Sequence, residues 1–327
     1  MGRHVVVMGA SAGGVEALRT VVAGLPPDMP APVVIVLHIS PAAPSALPRI
    51  LDRAGPLPAV PAEQGARLRD GVVYVAPADH HVLIVDGHLR LSTGPAENNH
   101  RPAIDPLFRS AALTRGPGAI GVVLSGTRDD GSAGLAAIAA RGGTAVVQDP
   151  EDALYGNMPA SALEQVPAAL VHPAAKIGGV LADLVRMPAE AASREPDDLL
   201  AVETEIAAVG APTTETLAQA VPSPYSCPSC HGVLFELPGK PAPRFRCRVG
   251  HAWSPGTLAE EQNAAAADAL WAAVRALDEK ADLLERMADG AAQHGYVHSA
   301  RAYAGRALQA RRQADSVRGL LDDEPDG

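Results

Sequence analysis

Two kinds of hydrophobic pattern divide this chain. Up to about residue 185, short continuous apolar runs such as Val5-Val6-Val7-Met8 and Val33-Val34-Ile35-Val36-Leu37 alternate with stretches of helical character. A run that is apolar at every position suits a strand covered on both faces, as in a parallel sheet with helices on either side. Further strands are predicted at 72–75, 119–124, 144–147 and 168–171. Residues 81–85 and 88–91 flank Asp86-Gly87, a dipeptide that supplies the positive-φ positions of a tight turn, so a β-hairpin is expected there. The fold class predicted for 1–185 is α/β: a doubly wound, mostly parallel sheet with an antiparallel hairpin.

The pattern then changes. Residues 186–224 have linker composition, with Pro212-Thr213-Thr214 and Pro222-Ser223-Pro224 after a short helix-like stretch. Residues 225–256 hold Pro and Gly between cysteines and predict a small, loop-rich knuckle resembling a zinc ribbon. From 257 to 327 the chain is strongly helical and ends in an acidic tail. Leu270, Val274, Leu277, Ala281, Leu284 and Ala288 form one apolar stripe; Tyr303, Ala307, Ala310, Ala314, Val317 and Leu321 form a second. Asp289-Gly290 and Gly295 interrupt the run, so an antiparallel helical hairpin is predicted. Its stripes bury one another in the simplest reading and bind a partner in the other.

Composition narrows the function. Of 327 residues, 27 are Lys or Arg and 37 Asp or Glu, and the net charge of -10 repels a phosphate backbone, so no nucleic-acid partner is expected. No apolar run approaches the roughly 20 residues of a membrane span, and Met1-Gly2-Arg3-His4 leads straight into the first strand, so a cytoplasmic protein without direct membrane insertion is expected. With 3% aromatic residues, the core must be built from Ala, Val, Leu and Ile.

Candidate chemistry sits where strands should end. Gly9-Ala10-Ser11-Ala12-Gly13-Gly14 falls at the first strand-to-helix turn and satisfies G-x-S-x-G, but a glycine-rich turn there also suits a phosphate loop. His38 follows the second strand and could take a serine proton. Asp129 and Asp130, in Ser125-Gly126-Thr127-Arg128-Asp129-Asp130-Gly131, follow a further strand; either could orient an imidazole or cap the next helix. His80 and His81 precede the hairpin, and His100 and Arg101 precede a helix; these four could line a cleft, cap or lie at the surface.

The three cysteines form a second group: Cys227-Pro228-Ser229-Cys230, sixteen residues, then Cys247-Arg248-Val249-Gly250-His251. Three thiolates and an imidazole are a usual tetrahedral zinc set with no open position, which favours a structural metal; free thiols or a redox pair are the alternatives. His231 could compete, but its adjacency to Cys230 makes its geometry poor.

Gly9 to Gly14, Leu37-His38, His100-Arg101-Pro102-Ala103-Ile104-Asp105 and Leu124 to Gly134 together resemble the catalytic domain of CheB-type chemotaxis methylesterases, over roughly residues 4 to 185. The resemblance implies a Ser-His-Asp triad that hydrolyses glutamate γ-methyl esters on chemoreceptors or related signalling proteins, with deamidation of particular glutamines. It implies Ser11 as nucleophile, His38 as base and Asp130 as orienting carboxylate, with no cofactor for catalysis. Met158-Pro159 also resembles a family segment, without an implied role. Two departures stand out. The family's frequent Ser-Thr-Gly-Gly is Ser11-Ala12-Gly13-Gly14 here, and its Gly-Met-Gly-Asn-Asp-Gly loop is Gly126-Thr127-Arg128-Asp129-Asp130-Gly131. Ten residues precede Ser11, so control without an intramolecular receiver domain is expected. A non-catalytic signalling or scaffold module, and an esterase for another ester, are the alternative functional classes.

Overall fold

The computed structural model describes residues 4–40, 45–189, 198–209, 220–237 and 243–322. They form two compact units, one reaching Leu258 and one starting at Ala259.

The first unit is organised around a seven-stranded parallel sheet. Its strands are β1 (Val5–Ala10), β2 (Val33–Leu37), β3 (Ala59–Pro61), β4 (Val73–Val75), β7 (Ala119–Val123), β8 (Thr144–Gln148) and β9 (Leu170–His172), in the order β3-β4-β2-β1-β7-β8-β9. β1 and β2 are buried at every position, which explains their unbroken apolar runs. Alternate residues serve two cores: Val5 and Val7 pack on one side of the sheet, Val6 and Met8 on the other. Helices α1 (Gly14–Ala23), α2 (Leu47–Ala54), α3 (Ile104–Arg115), α4 (Ser132–Ala140), α5 (Asn157–Gln165) and α6 (Ala174–Leu184) provide the cover. The predicted hairpin is present as β5 (His81–Val85) and β6 (His88–Ser92), with Asp86 at φ 48° and Gly87 at φ 76° in the turn. β3 is an addition to the predicted set; three residues ending in proline carry too little periodicity to announce an edge strand.

Within the stretch of linker composition, helix α7 (Asp198–Val209) packs on α3 and β6. The cysteine segment is more regular than a loop-rich knuckle: β10 (Val221–Ser226), β11 (Val233–Leu237), β12 (Arg244–Cys247) and β13 (Ala252–Trp253) make an antiparallel sheet around Leu234, Phe245 and Trp253. This small sheet belongs to the first unit.

Helices α8 (Pro255–Gln293) and α9 (Val297–Asp322) give the predicted helical hairpin. Val274, Ala281, Leu284 and Ala288 on the first stripe and Ala307, Ala310 and Ala314 on the second are buried. Arg311 pairs with Asp282 and Glu285, and Arg318 with Asp278, fixing the antiparallel register. Asp289-Gly290 does not break the helix. A mid-helix glycine costs only about 1 kcal/mol among good helix formers. The turn is at Gly295, at φ 76°, where Tyr296 N–H donates to Ala291 O and Gly295 N–H to Ala292 O in a Schellman cap. No helix of the described residues is long and apolar enough to cross a membrane.

Candidate active site and metal centre

Ser11 stands one residue beyond β1, and its N–H donates to Ser125 O at 2.9 Å, tying it to the loop after β7. The turn into α1 requires Gly13, which has φ 70°; a Cβ there would meet Ser125 Oγ at 2.7 Å. α1 starts at Gly14, so the N–H end of a helix, which favours negative charge, lies next to the hydroxyl. His38 stands one residue beyond β2, its N–H donating to Ala10 O. Asp130 lies in the loop between β7 and α4 and is 1% exposed. Because β2, β1 and β7 are adjacent, the three groups converge at one sheet edge.

They meet in a relay. His38 Nδ1 lies 3.1 Å from Ser11 Oγ, and His38 Nε2 lies 2.8 Å from Asp130 Oδ2. A carboxylate only accepts, so Nε2 carries the proton and Nδ1 is left to accept from the serine hydroxyl. Asp130 Oδ2 also accepts from Ile104 N–H at 2.6 Å, while Oδ1 accepts from Asn98 Nδ2 at 3.1 Å and Asp105 N–H at 3.4 Å. Burial pushes the Asp130 carboxyl up, but the hydrogen bond from His38, the attraction of that ring whenever it is protonated and the Ile104 N–H outweigh it, and the group stays ionised well below the usual carboxylate range. The neighbouring Asp105 has the opposite balance: burial and then the Asp130 charge push it up to about 7.

Asp129 turns away from the imidazole. Its Oδ1 accepts from Ser254 Oγ at 2.7 Å and Thr257 Oγ1 at 2.6 Å, at the start of α8. His100, left open by the sequence, stacks on His38 with ring centroids 3.6 Å apart and planes 13° from parallel. Burial and then the cost of a second positive charge beside His38 hold His100 down at about 4, so a neutral ring covers His38. Arg101 pairs with Asp79. His81 is a structural residue: its Nε2–H donates to Pro95 O and its Nδ1 accepts from Ala103 N–H, and burial lowers its pKa. His80 Nδ1 lies 3.0 Å from Ala78 O. Met158 is buried and its N–H donates to Gly126 O, supporting the floor under Ser11. A cavity of about 610 Å³ opens over the relay, lined by Ser11, His38, Asn99, His100, Arg101 and His251 among others.

The last of these residues belongs to the second cluster. One ligand atom from each of Cys227, Cys230, Cys247 and His251 lies within 4.8 Å of every other. Cys230 Sγ and Cys247 Sγ are 3.6 Å apart, and His251 Nδ1 lies 3.7 Å from Cys227 Sγ and 3.6 Å from Cys247 Sγ. A tetrahedral zinc with Zn–S near 2.3 Å and Zn–N near 2.0 Å demands ligand separations of about 3.5–3.8 Å, so the four groups could hold zinc. A disulfide would bring two sulfurs to about 2.05 Å, and all three thiols are free. Trp253 Nε1–H donates to Cys227 Sγ at 3.4 Å. The hydrogen bond with the Cys247 thiol and then that indole N–H hold the Cys227 thiol down at about 4, while the same shared proton pushes Cys247 up. His231 is outside the cluster.

A serine hydroxyl, a singly protonated imidazole and a buried carboxylate in sequence, at the carboxyl edge of a parallel sheet, have the arrangement that serine hydrolases use. The chain belongs to the CheB methylesterase family, whose model matches residues 6–181. A protein-glutamate methylesterase/protein-glutamine glutaminase of Anaeromyxobacter dehalogenans is 38% identical over 183 residues, 56% of this chain and 54% of that one. A relative from Leptospira interrogans is 40% identical over 165 residues, 50% of this chain and 86% of the relative. The crystal structure of the Thermotoga maritima CheB methylesterase catalytic domain superposes with a TM-score of 0.53 at 34% identity, covering 55% of this chain and 98% of that domain.

Proposed function

We propose that this protein is a cytoplasmic serine esterase that removes methyl groups from glutamate γ-methyl esters of chemoreceptors or related signalling proteins, and that it deamidates glutamine side chains of the same substrates. The observation that carries this reading is the continuous Ser11–His38–Asp130 relay at the mouth of an open cavity. Ser11 Oγ attacks the ester carbonyl while His38 Nδ1 takes its proton, and the imidazolium is stabilised by Asp130 through Nε2–H. The oxyanion forms beside the N-terminus of α1. His38 returns its proton to the methoxy oxygen as the C–O bond breaks, and methanol leaves. A water deprotonated by His38 then attacks the acyl-enzyme, the Ser11 Oγ–carbonyl bond breaks, and glutamate is released with Ser11 reprotonated. Deamidation follows the same course with ammonia as the leaving group.

The four groups Cys227, Cys230, Cys247 and His251 hold a structural zinc in this reading, supported by their separations and by the indole N–H on Cys227. Zinc held there would contact none of the reacting atoms.

Methanol released from a methylated receptor should be abolished by Ser11→Ala; equal release by both proteins would remove Ser11 from the mechanism. Near-stoichiometric zinc in the purified chain should be lost in the Cys227→Ser, Cys230→Ser double variant, and zinc content unaffected by that change would defeat the metal assignment.

A further inference from the structure

The segment 96–98 joins the two centres. Ala252 N–H donates to Ala96 O at 3.4 Å, and Asn98 N–H donates to Ala252 O at 2.8 Å, so the strand that follows ligand His251 is laced to this segment by its backbone. The Asn98 side chain, 4% exposed, faces both ways. Its Oδ1 accepts from Ser254 N–H at 2.9 Å, and its Nδ2 donates to Asp130 Oδ1 at 3.1 Å. One amide therefore holds the metal-binding module with its oxygen and the relay carboxylate with its nitrogen. Asp129, next in chain to Asp130, is gripped by Ser254 and Thr257 from the same module exit. His251 itself lines the cavity that contains Ser11 and His38.

We propose that the Cys227, Cys230, Cys247 and His251 module is a positioning element for the relay and that Asn98 is the positioning residue through which it acts. Turnover then depends on a metal that never touches the reacting atoms. The proposal rests on the Ser11–His38–Asp130 reading and adds its control. Asn98 has φ 50°, a left-handed backbone held by the bonds to Ala252 and Ser254. The small sheet already brings the two ligand turns together, and a shared metal would add a bond from each of the four side chains to one centre, stiffening the module where β13 begins. Loss of the metal loosens the strand at Ala252, frees Asn98 and removes one of the four donors that fix the two oxygens of Asp130.

The test uses the full chain and two readouts: methanol release from methylated receptor, and the rate at which a fluorophosphonate probe labels Ser11, located by mass spectrometry. Removing metal from wild type with a chelator should lower kcat and the labelling rate about tenfold with little change in KM, the scale expected for losing one hydrogen bond to a charged group, and zinc should restore both. Asn98→Gly keeps the left-handed backbone accessible and removes both side-chain bonds; it should lose about tenfold in kcat while metal is bound, and chelation should then cost less than about twofold more. Equal sensitivity of wild type and Asn98→Gly to chelation, or none in wild type, overturns the proposal. If the chelated chain unfolds by circular dichroism, the metal-loaded comparison decides: wild-type kcat and labelling in Asn98→Gly overturn it. Ser11→Ala with full turnover, or no Ser11 labelling in metal-loaded wild type, sinks the relay reading itself, a distinct outcome.

Discussion

Glu97 is 2% exposed and lies between two guanidinium groups that are each 1% exposed. Arg109 Nη2 donates to its two oxygens at 2.8 and 2.6 Å, and Arg246 Nη2 donates to Oε1 at 3.0 Å. Glu97→Gln keeps the volume and removes the charge. Burial alone would push this carboxyl up, but Arg109 and then Arg246 hold it at about 2 instead of 4.5. That difference corresponds to roughly 3 kcal/mol at neutral pH, which agrees with the 3–5 kcal/mol typical of removing one member of a buried ion pair. The folded group titrates below the unfolded one, so its contribution is complete above about pH 5 and fades only as pH falls from 4.5 toward 2. Arg246→Met should cost less than Glu97→Gln, because Glu97 keeps both bonds from Arg109 and Glu203 keeps Arg244. Urea unfolding followed by Trp253 fluorescence in a Trp271→Phe background reports the change, since Trp253 is buried near Arg246 and Trp271 is exposed. The cost of Glu97→Gln should be equal at pH 7.5 and pH 6. A cost below about 1 kcal/mol, or one no larger than that of Arg246→Met, would refute the reasoning.

The proton held by Asp105 should make stability fall as pH rises: the folded carboxyl titrates at about 7 against an unfolded value near 4, so its favourable share is present below about pH 4 and lost through pH 7. Asp105→Asn should flatten that slope in melting temperatures taken from pH 5 to 8, and parallel curves for the two proteins would contradict it. Asp130→Asn should lower kcat by about 10³–10⁴ while leaving a cooperative melt, measured by methanol release, as for other relays deprived of the orienting charge. At Gly126 an added Cβ would come within 2.9 Å of Ser11 Cβ and 2.7 Å of Met158 Cε, so Gly126→Ala should slow Ser11 labelling by the fluorophosphonate and cost about 1–3 kcal/mol of stability; unchanged labelling would mean the Ser11 floor yields freely. Chelation should shift Trp253 emission in the Trp271→Phe background, because its indole N–H donates to Cys227, one of the four proposed ligands; identical spectra with and without metal would count against the Cys3His assignment.

The central strands were legible because burial on both faces leaves only apolar residues there, and the Asp86-Gly87 turn because its backbone requirement is local. The meeting of Ser11 with His38 was legible for a related reason, since residues just beyond adjacent parallel strands lie side by side. Strand ends alone left Asp129 and Asp130 as equal candidates, and the choice of Asp130 came from the family resemblance. Asn98, Glu97 and the stacking of His100 on His38 left no such trace. Each depends on packing between segments far apart in sequence, as in the hydrogen bond between Asn98 and Ser254 or the ion pair between Glu97 and Arg246. The β-sheet around the cysteines was hidden by its Pro and Gly content, and the continuation of α8 through Gly290 by the weakness of one glycine against a long run of helix formers.

Ser11 and His38 each stand one residue beyond neighbouring strands in the middle of the sheet, so their anchor points are held at the interstrand pitch of about 4.8 Å. Asp130, in the loop after β7, is placed by its bonds to His38, Ile104 and Asn98. The outer strands β3 and β9 carry none of these three reactive groups. Lengthening the sheet at its margins leaves that pitch unaltered.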